Sequence, residues 1–226
     1  MIIFVDYEHA DRYKDGGGSN IQAARTWISY RLEDMSNMPC LLVRWDRITG
    51  ELLDRVGAKA IFISGNGSSP DLYDADDLKP LYDIIRTSNL PMFGFCGGLQ
   101  CIASALGSDL QVLDVPVDAE ETDQLKKWPN GYWGEVGYHP IEILGEHPVL
   151  DGVGDAPVFR HAHGLHVPNP PDGFRVLART DITPVQLAVH DERRIVGTQF
   201  HPEYWTDEHD AGETMIANFM RWTGVI

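Results

Sequence analysis

The residues with most chemistry to offer are Cys96, set among glycines, and His201, with Glu203 two positions on. The apolar run Leu90–Phe95 leads into Cys96, Gly97 and Gly98 follow, and a helical pattern over Cys101–Leu106 comes at once. That reads as strand, abrupt turn, helix. Such a corner lifts one side chain above the end of a sheet, and only small neighbours leave room for it. The helix N-terminus behind it offers unpaired N–H groups and a partial positive charge, both of which favour a thiolate and an oxyanion. An unperturbed thiol is mostly protonated at neutral pH, so a nucleophilic cysteine also needs a base. Gly197-Thr198-Gln199-Phe200-His201-Pro202-Glu203 supplies one. The i, i+2 spacing in a loop lets His201 and Glu203 face one pocket, and Pro202 restricts the backbone between them. Cys96, His201 and Glu203 are therefore expected to form one hydrolytic site.

Three loops must meet for this to work, and the order of elements allows it. Short apolar runs at Ile2–Val5, Pro39–Val43 and Ala58–Ile63 read as strands, and Leu90–Phe95 as the strand of the corner. Helical patterns over Asn20–Met35 (Ile21, Ala24, Trp27, Ile28, Leu32) and Asp76–Thr87 lie between them, and Asp11–Ser19 is a polar, Gly-rich loop. Alternation of this kind indicates βαβ units and a largely parallel sheet. After Asp109 the pattern turns to strands at Gln111–Leu113, Glu135–Ile143, Val158–His161, Arg175–Ala178, Pro184–Val189 and Arg194–Thr198, with a last helix at Asp210–Trp222. The second half is thus richer in antiparallel strand. Ligand-binding loops gather at the carboxyl ends of parallel strands. The third such loop, Ile63-Ser64-Gly65-Asn66-Gly67-Ser68-Ser69-Pro70, has glycines that let N–H groups turn inward towards an oxyanion, and Asn66 tolerates a left-handed backbone. It lacks the Lys-Ser/Thr pair of a phosphate loop and any dinucleotide fingerprint.

Composition bounds the remaining choices. The 226 residues are 43% hydrophobic, enough for one α/β domain spanning 1–226. A net charge of −16 argues against nucleic-acid and anionic-membrane partners. Three cysteines without metal-like spacing suit a reducing compartment. With no charged leader and no apolar run of membrane-spanning length, a cytoplasmic protein is expected.

The plainer reading of each residue also has to be weighed. Cys40 and Cys101 read as small buried hydrophobes. Tyr138-His139-Pro140 and Glu146-His147-Pro148 show how cheaply His-Pro arises, so the preceding strand and the whole Gln-Phe-His-Pro-Glu string are what single out His201. Gln100 could be a helix residue facing solvent. His161, His163 and His166 invite a zinc reading, but no closing Cys or carboxylate spacing accompanies them, so no metal is expected. Trp128, Trp133 and Trp205 are expected to serve packing.

The strings Gly94-Phe95-Cys96-Gly97-Gly98-Leu99-Gln100 and Gln199-Phe200-His201-Pro202-Glu203 resemble the two signatures of class I glutamine amidotransferase domains. The Ser64–Pro70 loop sits where that family keeps its oxyanion strand. Phe159–Arg179 is similar to the family's segment beside bound glutamine. Two departures stand out: Leu99 where many members carry His, and Asn66 where a glycine is usual.

The resemblance implies a flavodoxin-like, open, mostly parallel sheet with flanking helices and an added antiparallel region. It also implies hydrolysis of a γ-glutamyl amide, without a cofactor, through a thioester on Cys96. His201 would move the proton and Glu203 would support it. The N–H groups of Asn66 and Gly97 would hold the oxyanion, a role worth roughly 3–4 kcal/mol per donor. Gln100 and His163 would contact the substrate. Because the chain ends at Ile226, any ammonia would go to a separate synthetase chain. Otherwise the protein would hydrolyse a γ-glutamyl amine alone, Leu99 and Gly131-Tyr132-Trp133 suiting a bulkier leaving group. A catalytically silent relative that binds a partner is the reading outside enzymology.

Overall fold

In the computed structural model, residues 1–14 and 16–226 are described. The first half alternates strictly: β1 (Ile2–Asp6), α1 (Gly18–Ser36), β2 (Cys40–Arg44), α2 (Gly50–Val56), β3 (Ala60–Ile63), α3 (Ala75–Thr87), β4 (Met92–Phe95), α4 (Gly97–Ala105). The second half is mostly strand. It runs β5 (Gln111–Val112), β6 (Leu125–Lys127), β7 (Trp133–Pro140), β8 (Glu142–Ile143), β9 (Val158–His163), β10 (Leu165–His166), β11 (Arg175–Arg179), β12 (Leu187–His190), β13 (Ile195–Thr198), then α5 (Ala211–Trp222).

The central sheet has the order β2-β1-β3-β4-β13-β12-β11-β8. It is parallel from β2 to β13 and antiparallel beyond. One pairing matters most for the site. β13 lies beside β4 with Gly197 opposite Gly94 and Thr198 opposite Phe95, so residues 199–203 leave the sheet next to Cys96. A smaller antiparallel sheet, β6-β7-β9, meets the same loop through a bridge between Arg160 and His201.

β1, β3 and β4 are buried along their whole length, as expected of parallel strands covered on both faces. Alternate side chains go to opposite faces. Ile3, Val5, Ile61 and Ile63 pack with Leu81, Ile85 and Ile102; Ile2, Phe4, Phe62, Phe93 and Phe95 pack with Ile28, Leu32, Met215 and Phe219.

The structure departs from the sequence expectations in a few places. The predicted strand over Glu135–Ile143 breaks at Ile141, and the one over Pro184–Val189 begins only at Leu187. The Gly-rich loop is shorter than expected, since α1 already starts at Gly18 and Ala10–Tyr13 forms a 3-10 turn; Asp15, within that segment, lies outside the described residues. α2 was not anticipated, although Thr49 caps it by accepting from the Leu52 N–H and Gly57 closes it in the left-handed region. Trp27, expected on the apolar stripe of α1, is exposed and carries the Arg31 guanidinium 3.5 Å above its ring.

Candidate active site

Cys96 sits at the corner between β4 and α4 with φ 49° and ψ −102°. A non-glycine residue at positive φ carries strain of about 1–3 kcal/mol, and here the strain lifts the thiol out of the strand. The corner is too tight for side chains around it. A Cβ on Gly98 would come within 2.3 Å of the Ile63 carbonyl oxygen, and one on Gly94 within 2.5 Å of the Gly98 carbonyl carbon. Asn66, which tolerates a left-handed backbone, does not use that tolerance: its φ is not positive, whereas that of Cys96 is.

Cys96 and His201 flank one narrow space. A Cβ built on Gly65 would lie 2.8 Å from His201 Cε1 and 3.4 Å from Cys96 Cβ, so the glycine marks the narrow space between them. His201 Nδ1 is 2.7 Å from Glu203 Oε1. Burial works against a charged imidazolium, but the Glu203 carboxylate and the Cys96 sulfur outweigh it and push His201 up to about 10. His201 thus holds its proton at neutral pH, next to the sulfur. Cys96 and His201 are only 3% and 8% exposed, which keeps water from screening the pair. The second Glu203 oxygen, Oε2, is buried without a hydrogen bond among the described residues. The loop is fixed from outside as well: the His201 N–H donates to the Arg160 carbonyl at 2.8 Å, and Arg31 donates to the Glu203 carbonyl at 3.1 Å.

The third loop closes over the same corner. A Cβ on Gly97 would meet Asn66 Oδ1 at 2.0 Å and Asn66 N at 2.8 Å, so the backbone of Asn66 lies against the first residue of α4, where two N–H donors can converge. Neither the Cys96–His201–Glu203 arrangement nor this pair of donors needs a metal to do acyl transfer.

A family model described as "Glutamine amidotransferase class-I" matches residues 20–222. The chain belongs to the class I glutamine amidotransferases. It is 32% identical over 167 residues to "GMP synthase [glutamine-hydrolyzing]" of Symbiobacterium thermophilum, a match over 73% of this chain and 28% of that protein. The corresponding protein of Psychrobacter arcticus is 27% identical over 197 residues, covering 85% of this chain and 32% of its own length. The chain therefore spans about a third of the length of these relatives. Among solved structures, a glutamine amidotransferase from Thermotoga maritima superposes with a TM-score of 0.67 at 13% identity, covering 99% of this chain and 98% of that one. The glutaminase domain of Trypanosoma brucei CTPS with bound acivicin gives 0.65 at 18% identity, over 99% and 94% of the two chains. Both share the fold, including its mostly parallel sheet flanked by helices.

Around this corner the other expected residues take different places. Gln100 turns inward rather than to solvent: its Nε2 donates to the Leu165 carbonyl at 2.9 Å and to Gln199 Oε1 at 3.3 Å. Gln199, quoted in the sequence only as part of a motif, in turn donates from Nε2 to Cys96 Sγ at 3.4 Å. Leu99 is wholly buried with its Cδ1 against Gly197, so it is a core residue and not a wall for the leaving group.

His163 lies in a buried cluster with His161 and Glu135, whose ligand-type atoms are all within 4.8 Å of one another. Glu135 is the carboxylate that the histidine spacing alone does not reveal; it arrives from β7, where its partner across the ladder is His163. Its oxygens accept from Gln124 Nε2, Thr183 Oγ1 and Gln186 Nε2, each at 2.8 Å, with His163 Nε2 at 3.1 Å. Burial opposes its charge, but His163, then His161 and the Thr183 hydroxyl, outweigh it and hold Glu135 down to about 2. Burial pushes His161 down to about 4. A carboxylate already taken by three donors has little left for a cation, so the set suits a hydrogen-bonded anion better than a metal centre.

Proposed function

We propose that this amidotransferase hydrolyses the γ-carboxamide of glutamine, or a related γ-glutamyl amide, through a thioester on Cys96. The observation that carries the reading is the imidazole of His201, braced by Glu203 at 2.7 Å and held protonated beside the sulfur of the strained corner. Cys96 Sγ, its proton already passed to His201, attacks the γ-carbonyl carbon as a thiolate, forming the C–S bond while the Asn66 and Gly97 N–H groups take the oxyanion. Collapse breaks the C–N bond, and His201 gives its proton to the leaving nitrogen, so that ammonia or an amine departs. His201, now neutral, accepts a proton from water as that water attacks the thioester. The C–S bond then breaks, glutamate leaves, and the charged imidazole is restored. Glu203 keeps the ring in place throughout. Gln100 and His163 are proposed on the substrate side, Gln100 with the stronger support because it lies one turn beyond Cys96.

The names of the relatives at 27–32% identity support glutamine as donor and a synthetase as the consumer of ammonia. Under this reading the chain works as a glutaminase subunit beside a separate synthetase chain, and the shared chemistry is the same whichever amine leaves.

The test is to give the purified chain glutamine and γ-glutamyl anilides, with a glutamine-analogue chloroketone as a covalent probe. Glutamate release and label at Cys96, both lost in Cys96→Ser, are expected. A chain that takes no label and releases no glutamate from any donor is a binding relative instead.

A further inference from the structure

The loop that supplies the oxyanion donor is tied down by a device that the catalytic motifs do not include. Arg25, on the inner face of α1, is 6% exposed. Its Nε donates to Asp6 Oδ1 at 2.8 Å, at the end of β1, and its Nη2 donates to the Gly65 carbonyl at 2.7 Å. Ser64 Oγ donates to that same carbonyl at 2.8 Å while accepting the Tyr7 N–H at 2.9 Å. The peptide bonds among the described residues are trans, and a trans peptide points its C=O and N–H in opposite directions. With the Gly65 oxygen held towards Arg25 and Ser64, the Asn66 N–H has to point the other way, to the side where Gly97 and Cys96 lie. That N–H donates to no other group among the described residues. The next turn is pinned too. Glu8 accepts the Gly67 N–H at 2.8 Å and bonds the Ser68 hydroxyl, while the Asn66 amide donates to the Tyr73 hydroxyl at 2.9 Å.

We infer that Arg25, paired with Asp6, is a positioning residue that latches the Gly65–Asn66 peptide with its N–H facing the nucleophile, so that the oxyanion hole is complete in the isolated chain. The inference rests on the hydrolytic reading of Cys96 given above. Its consequence is regulatory: turnover does not wait for a synthetase to turn this peptide. The guanidinium suits the task because its fork reaches a carboxylate and a carbonyl at once, which a single ammonium cannot do with the same geometry. Asp6 keeps the fork in register, and the near-complete burial of both partners leaves little solvent to compete.

The experiment compares Arg25→Lys, Ser64→Ala and the double variant with the unaltered chain, on glutamine and without any added protein. Arg25→Lys keeps the charge beside Asp6, so it folds where a neutral substitution would strand a buried carboxylate. The chain alone is expected to turn over glutamine. The single variants lose kcat by about tenfold and the double variant by about 10²-fold, the range for removing one oxyanion donor, with KM within about twofold. Iodoacetamide needs no oxyanion donor, so its rate at Cys96 should stay the same in all four proteins. A double variant that keeps full kcat overturns the latch, and so does one in which alkylation falls in step with kcat. A chain that takes the glutamine chloroketone at Cys96 but turns over only with a synthetase present also overturns the latch while leaving the hydrolytic reading intact. A chain that takes no label removes both.

Discussion

Two buried histidine–glutamate clusters lie on either side of the Arg160–His163 stretch, and they do opposite things with the same groups. At one, Glu203 spends one oxygen on His201 and leaves the other without a partner among the described residues. At the other, Glu135 accepts from Gln124, Thr183 and Gln186 as well as facing His163. The outcomes differ. His201 is pushed up to about 10 despite its burial, while His161, 3.7 Å from Glu135, is pushed down to about 4 by its burial. His201 is in direct contact with Glu203 at 2.7 Å and gains from the Cys96 sulfur as well, whereas His161 stands 3.7 Å from Glu135, too far for that charge to offset its burial. The first cluster is therefore suited to proton transfer and the second to holding segments together: the 122–125 turn, β7, β9 and the residues around Thr183.

Removing the charge should separate the two roles. Glu203→Gln keeps the shape but cannot support an imidazolium, and kcat is expected to fall by about 10³–10⁴-fold with KM little changed. Stability should move much less. Glu135→Gln is expected to show the reverse. A neutral amide cannot satisfy the same set of donors, which costs about 2–3 kcal/mol and lowers the melting temperature by roughly 5–10 °C, with kcat within about tenfold. Steady-state kinetics and thermal unfolding on both variants check this. A Glu135→Gln enzyme with kcat down a thousandfold and an unchanged melting temperature would make the second cluster catalytic.

How much of this was legible in the sequence depends on how local each feature is. The corner at Cys96 and the His201–Glu203 loop are short strings whose backbone demands are written in their own glycines and proline, and both stand where expected. The pairing of β13 with β4 that unites them was not legible, because the helix-poor stretch from β5 to β12 separates the two strands and no βαβ unit joins them. Glu135 was out of reach, because only the β7–β9 ladder brings it to His163, and residue spacing within one segment carries no trace of a ladder. Arg25 is a subtler miss. It shares the buried stripe of α1 with Ile28, Ser29 and Leu32, so a charged residue on an apolar stripe opposite Asp6 was the available signal. Residue preference marked Asn66 as tolerant of a left-handed backbone, but it is Cys96, at the strained turn, that has the positive φ.

The pH dependence of stability should carry both signs. His201 has its folded value raised from the ordinary 6.5 to about 10, so it binds its proton more tightly when folded. Its stabilisation is complete below 6.5 and is lost as pH rises from there through 10. His161 has its folded value lowered from 6.5 to about 4, so the unfolded chain takes the proton first, and stability is lost as pH falls from 6.5 towards 4. Glu135, lowered from 4.5 to about 2, adds a loss between those values. Denaturant unfolding across pH 4–10 should show His201→Gln flattening the alkaline limb and His161→Phe flattening the acid limb from 6.5 to 4. Each substitution should leave the opposite limb unchanged, and a variant that altered both would mean the clusters are coupled through Arg160 and Gln186.

The smallest effect is expected from added zinc. Two imidazoles and a carboxylate within 4.8 Å are enough ligands to make the second cluster worth challenging. A cation there would have to displace the Gln124, Thr183 or Gln186 donor from Glu135, each at 2.8 Å, and these neutral donors could not follow it. Equimolar zinc is therefore expected to shift the melting temperature by less than about 1 °C, since a ligand raises stability only to the extent that it binds the folded state. A saturable rise of several degrees, lost in His163→Gln, would turn the comparison around: Glu135 would then be the carboxylate with charge to spare.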